Sequence, residues 1–248
     1  MRKIPAIQTE VDLWQELQLL STEIEDAVTI FHTYEELNRL AVQDSELLQR
    51  FNEDALFWNT HRYALQASLF MIMGRIFDPG AHTRSLRRLV DTVIAHPEFF
   101  GPEALARRKA LHRAITPEMI QTLLKCAWIP RRSTDLEFLS DQLSLRLTRV
   151  TEIYIPIRHA IFAHRLLTND EAAVELFGET NRAELGTILD FAHDLIDALQ
   201  MFYLNGHRPE LGTRSYQDYN ERIRAAAERV YRRLIPSLPT PSQQESVE

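Results

Sequence analysis

Cysteine is almost missing from this chain, and Cys126 stands alone. A lone thiol excludes an intrachain disulfide and any cysteine-based zinc cluster, and it fits a reducing compartment. Glycine is scarce as well, 7 in 248 residues, which disfavours folds built on many tight β-turns or on a nucleotide-cradling loop and favours helices. Lysine is nearly absent, with 3 lysines against 25 arginines. The formal net charge of -7 leaves no general positive field to capture nucleic acid, so any polyanion site has to be concentrated in one place. Long apolar runs are also lacking, since the candidates are broken by Gln66, Arg75 or Arg158, and residues 1–9 carry two basic residues but no apolar signal core. The expectation is a cytoplasmic protein with no membrane anchor. His-Glu-x-x-His, Gly-x-Gly-x-x-Gly and the Walker loop do not occur, which removes the usual zinc-protease and nucleotide-fold signatures. No metal and no cofactor are expected.

What is present reads as helix. A chain of this length buries roughly 70 to 75% of its unfolded surface and needs no covalent staple. The expected architecture is all-α, a multi-helix bundle with an up-and-down core and short peripheral helices, in one domain over residues 1–234. A Pro-, Ser- and Gln-rich tail follows over 235–248 and is expected to be disordered. Thr9 can cap a helix reaching about Leu40, whose apolar positions from Val11 to Phe31 recur every three or four residues. A short segment from Asp44 to Phe51 precedes an apolar-dense helix from about Glu53 to Phe77, stopped by Asp78-Pro79-Gly80. Short helices follow over Ser85 to Ile94, about Glu103 to Ile115, and from Thr116-Pro117-Glu118 to before Pro130. Arg87-Arg88 and Arg107-Arg108-Lys109 on them read as solvated faces. Thr134-x-x-Glu137 and Asn181-x-x-Glu184 both have the capping-box pattern, and Asn205-Gly206 closes the second of these helices. On that helix Asp190, His193, Asp194 and Asp197 form one polar stripe, read as a solvent face, and Cys126 reads as a small buried hydrophobe. A final helix covers about Tyr216 to Leu234.

The segment Tyr154-Ile155-Pro156-Ile157-Arg158-His159-Ala160-Ile161-Phe162-Ala163-His164-Arg165 asks for a chemical explanation. It is apolar around most of its circumference, yet it holds two arginines and two histidines, each of which needs a carboxylate, a solvated cleft or an anionic ligand. Six residues of straight helix advance roughly 600°, which leaves Arg158 and His164 about 120° apart around the axis. Convergence therefore requires a distortion at Pro156, an irregular end after His164, or a second subunit bringing its own copy. One alternative is structural: Arg158 pairs with Asp190, Asp194 or Asp197, and the histidines are hydrogen-bonded in the core.

Arg158, the polar His159, four further residues and then His164 resemble the motif of the HEPN superfamily. The context Ile157-Arg158-His159-x-x-x-Ala163-His164-Arg165, with an aromatic-rich helix from Phe57-Trp58 to Arg75-Ile76-Phe77-Asp78, looks like its abortive-infection, AbiU-type branch, over roughly residues 50–205. That resemblance implies a HEPN-like all-α homodimer with the motif at its interface and, in active members, metal-independent RNA cleavage in phage defence or a toxin-antitoxin system. His164 is then the general acid or base, Arg158 the phosphate clamp, His159 an orienting or assisting group, and Arg165 an RNA contact. RNA, a second copy of the chain, and an antitoxin or regulatory protein are the implied partners. The rival reading is a non-catalytic helical interaction or regulatory module of the same fold. A di-iron bundle is a poor fit, because only Asp190-x-x-His193 approximates its carboxylate-histidine pairs.

Overall fold

Local capping chemistry sets most helix starts in the computed structural model, which describes residues 7–80, 83–158, 178–212 and 215–234. Thr9 Oγ1 accepts from the Asp12 N–H at 3.1 Å while the Asp12 carboxylate accepts from the Thr9 N–H at 2.9 Å, a reciprocal box that opens α1 (Glu10–Gln43). Asp44 caps α2 (Ser45–Glu53), and α3 (Ala55–Ile76) ends immediately before Phe77-Asp78-Pro79-Gly80. Ser85 caps α4 (Leu86–Ala95). A 3-10 turn (Pro97–Phe100) leads to α5 (Pro102–Ala110), shorter than its sequence suggests, and Thr116 caps α6 (Pro117–Cys126). Thr134 does not cap the next helix as its pattern predicts. Asp135 takes the Arg131 and Arg132 N–H groups instead, and a 3-10 turn (Ser133–Leu136) runs into α7 (Glu137–Arg149). Thr134 lies inside that 3-10 turn and so does not take the extended conformation of an N-cap. α8 (Arg182–Asn205) closes on Gly206 at φ 67°, and α9 (Gln217–Leu234) is last. Among the described residues there is no strand, so the chain is an all-α multi-helix protein.

Backbone proximity divides the chain into two compact units. The first comprises Met1–Val28 and Ala67–Ser215. There α1 buries Leu13, Leu17, Leu20 and Ile24, α3 buries Leu69, Phe70, Met73 and Ile76, and α7 buries Leu139 and Leu143. Each is worth roughly 1.5 to 3 kcal/mol of transfer free energy. α8 buries residues around nearly its whole circumference, so it is the central helix of this unit. Arg108 lies 4.0 Å over the Tyr203 ring and donates to Glu10 at 2.5 Å, which makes this arginine structural.

The second unit comprises Thr29–Gln66 and Tyr216–Glu248. Leu37, Leu40, Leu47, Phe51, Trp58 and Tyr231 form its core. Ion pairs from Arg224 to Glu35 and from Arg232 to Asp44, both 2.9 Å, tie α9 to this core. His61 is half-buried with its ring nitrogen 3.0 Å from the Tyr231 hydroxyl, and burial holds its pKa below the ordinary value.

Candidate functional site

The helical run that carries Arg158 is interrupted where Pro156 demands it. α7 ends at Arg149, a π turn occupies Val150–Tyr154, and a single helical turn, Ile155–Ile157, restarts the run. The Ile155 N–H reaches back five residues to the Val150 carbonyl. Proline at the second position of the new turn has no N–H to leave unpaired, so the widened turn absorbs the break. The helical run is therefore distorted directly upstream of Arg158.

Two contacts anchor this irregular segment to α8. The Arg149 Nε donates to Glu184 Oε1 at 2.6 Å, and the Tyr154 hydroxyl donates to Glu184 Oε2 at 3.0 Å. The Arg149 hydrogen bond holds the Glu184 carboxyl below its usual range, while burial and the Glu184 carboxylate push the Tyr154 phenol up to about 12. Asn181 caps α8 as its pattern predicts, accepting from the Ala183 and Glu184 N–H groups. Glu184, the expected second half of that capping box, has left the cap to bridge the two helices. Tyr154 itself is buried, its ring 6.2 Å from Phe70 of α3.

Arg158 is half-buried at the end of the described run, and its stem lies against Gly74 of α3. A Cβ on Gly74 would collide with Arg158 Cδ and sit 2.7 Å from Nε and 3.0 Å from Nη1, so only glycine admits the guanidinium here. Arg158 Nε is buried and has no hydrogen-bond partner. Among the described residues no carboxylate forms an ion pair with Arg158, Asp190, Asp194 and Asp197 included. Asp194 instead accepts the Gly212 N–H at 2.5 Å. Gly74 was missed in the sequence, although a mid-helix glycine in a glycine-poor, apolar helix signals a close approach.

His159, His164 and Arg165 lie outside the described residues. The α8 stripe is not the solvent face its polarity suggests. Its middle pair, His193 and Asp194, is 9% and 4% exposed because α8 is packed from several sides, and Asp190 and Asp197 are half-buried. Cys126 is exposed rather than buried, being the last residue of the short α6. Among the described residues no three His, Cys, Asp or Glu side chains cluster as metal ligands would, and no helix is long and apolar enough to cross a membrane.

A family model for AbiU2, of the HEPN class, matches residues 11–230. The chain belongs to that family. The match extends well beyond the 50–205 stretch on which the resemblance rests in the sequence, and it takes in both units of this HEPN-AbiU2 chain. Among curated proteins none matches it, and among solved structures none does either.

Proposed function

We propose that this AbiU2-family protein is a metal-independent endoribonuclease acting in phage defence or a toxin-antitoxin system, with a composite Arg/His site at a homodimer interface in the cytoplasm. The observation that carries the reading is Arg158, a half-buried cation with a buried, unpaired Nε and no carboxylate partner among the described residues, sitting just past a π turn. A buried donor left unpaired costs about 1 to 3 kcal/mol, a cost that an anionic phosphate oxygen offsets.

In this mechanism one histidine, His164, takes the ribose 2′-OH proton as the 2′-oxygen attacks phosphorus. The P–O5′ bond breaks, and a second His164 from the partner copy protonates the departing 5′-oxygen, leaving a 2′,3′-cyclic phosphate and a 5′-OH end. Arg158 stabilises charge on the phosphorane, His159 orients or assists, and Arg165 contacts RNA outside the reacting bonds. The rival reading, an interaction or regulatory module without catalysis, is favoured by one feature: the Arg158 stem is packed inward on Gly74 as a structural arginine would be. Incubating purified protein with mixed RNAs in EDTA separates them. Wild type is expected to generate 5′-OH ends that His164→Ala does not; equal cleavage by both proteins would sink the site, and none by wild type would leave the regulatory module.

A further inference from the structure

A second polar surface lies at the joined C-terminal ends of α6 and α8. Trp128 donates its backbone N–H to the Gly206 carbonyl at 2.8 Å, and the left-handed Gly206 lets the two chains approach, since a Cβ there would sit 2.7 Å from that of Ala127. The Trp128 ring packs against Phe202 at 5.3 Å but stays half-buried, because it forms a wall common to two concavities. One, of about 650 Å³, is also lined by Ile129, Arg131, Asp135 and Arg208; the other, of about 410 Å³, by Met201, His207, Arg208 and Glu210.

The charges here are not spent on one another. Among the described residues neither Arg131 nor Arg208 has a carboxylate partner, whereas the cations of the Arg107-Arg108-Lys109 run are tied to Glu10 and Asn205. Asp135, which lines the larger concavity with Arg131, is occupied by the Arg131 and Arg132 N–H groups and the Arg132 side chain. The Arg208 guanidinium lies 5.6 Å from the Trp128 ring centroid, near the outer limit of a cation-π contact, so a flat group can replace it on the ring. Glu210 is the one exposed acid lining the smaller concavity.

We propose that Trp128, Arg131 and Arg208 form a docking site for single-stranded RNA, in which a base stacks on Trp128 while the flanking phosphates take the two arginines. The pairing of a half-exposed indole with unpaired guanidinium groups is how sequence-tolerant single-strand binding is built. Arg131 and Arg208 face the concavities without a carboxylate partner among the described residues, which leaves their charge available to phosphate although Asp135 and Glu210 share the lining. The site rests on the reading of RNA as substrate, and deepens it by placing contacts away from the reacting phosphate.

The test measures binding without cleavage. Full-length Arg158→Ala protein is titrated against short fluorescein-labelled oligouridine by anisotropy, with indole fluorescence followed in parallel. Arg131→Gln and Arg208→Gln, both at exposed positions, are expected to weaken binding and each to lower the salt slope by about one. Trp128→Leu is expected to weaken it by about tenfold or more and to abolish the indole quench, and Glu210→Gln to tighten it. Unchanged affinity in both arginine variants, equal affinity for double-stranded RNA, or binding of an acidic peptide in place of oligouridine overturns the site. Cleavage lost at Arg158 with these results intact, or the reverse, distinguishes failure of one reading from failure of the other.

Discussion

One methyl group is the finest probe of Arg158. Gly74→Ala adds it where the Arg158 Cδ now lies. In a helix interior alanine is favoured over glycine by roughly 1 kcal/mol, while overpacking costs about 1 to 3 kcal/mol. Arg158 is long, half-buried and unpaired among the described residues, so its stem swings aside rather than straining α3. Stability is therefore expected to change by no more than about 1 kcal/mol in urea melts, while RNA cleavage falls by at least about tenfold, since a misplacement of about 1 Å in a charge-stabilising group has a cost of that order or larger. A cycle with Arg158→Ala isolates the cause. If the added methyl acts through the Arg158 stem, Gly74→Ala in urea melts gains stability in the Arg158→Ala background, where that stem is gone, toward the helix-propensity gain of roughly 1 kcal/mol; the same stability change in both backgrounds would assign Gly74 to packing alone. None of this was visible at position 74 in the sequence, because a glycine in an apolar helix announces an approach but not what approaches.

At the scale of elements, Glu184 is the residue whose assignment changed most, from capping its own helix to bridging it to α7. Its carboxylate accepts from Arg149 and from the Tyr154 hydroxyl, on either side of the start of the π turn. The Arg149 hydrogen bond depresses the folded-state pKa of Glu184 below 4.5. That stabilisation is present above the unfolded value and disappears as pH falls through the folded one. Tyr154 has the opposite sign: raised from 10.0 to about 12, it contributes stability below the unfolded value that is lost as pH rises through about 12. Glu184→Gln is therefore expected to lower the melting temperature near neutrality by no more than a few degrees, at most about 1 kcal/mol for an ion pair this exposed to solvent screening, with the gap to wild type closing in scans below pH 4.5. A gap independent of acid pH would mean that the carboxylate charge contributes nothing. The helix starts at Thr9, Thr116 and Asn181 and the stop at Gly206 were legible because each is decided within a few residues. Glu184, the enclosed His193-Asp194 seam and exposed Cys126 were not, because each depends on which distant helix does or does not pack there.

For the whole molecule, the decisive question is how many chains make one site. Six residues of straight helix would separate Arg158 from His164 by about 120°, and the π turn lies before that interval. A two-fold interface solves the problem by presenting two arginines and two histidines to one phosphate. On this reading the active species has twice the 28.9 kDa mass of the chain, and activity falls on dilution more steeply than in proportion to concentration. Complementation gives the sharper test. Arg158→Ala and His164→Ala homodimers are each expected to be inactive, one lacking both phosphate clamps and the other both proton-transfer groups. Mixed dimers retain one arginine and one histidine in the shared site, a phosphate clamp and one of the two proton-transfer groups, so exchanging subunits between the two inactive proteins is expected to restore cleavage above either homodimer but far below wild type, by the cost of one lost proton transfer. Each protein's mass in sedimentation reports whether dimers persist. No recovery from mixed dimers that demonstrably formed would require both copies of each residue or a site confined to one chain, and a double Arg158→Ala/His164→Ala chain mixed with wild type separates these. One wild-type chain retains about half the activity if its site is self-contained, and far less if the site needs both copies.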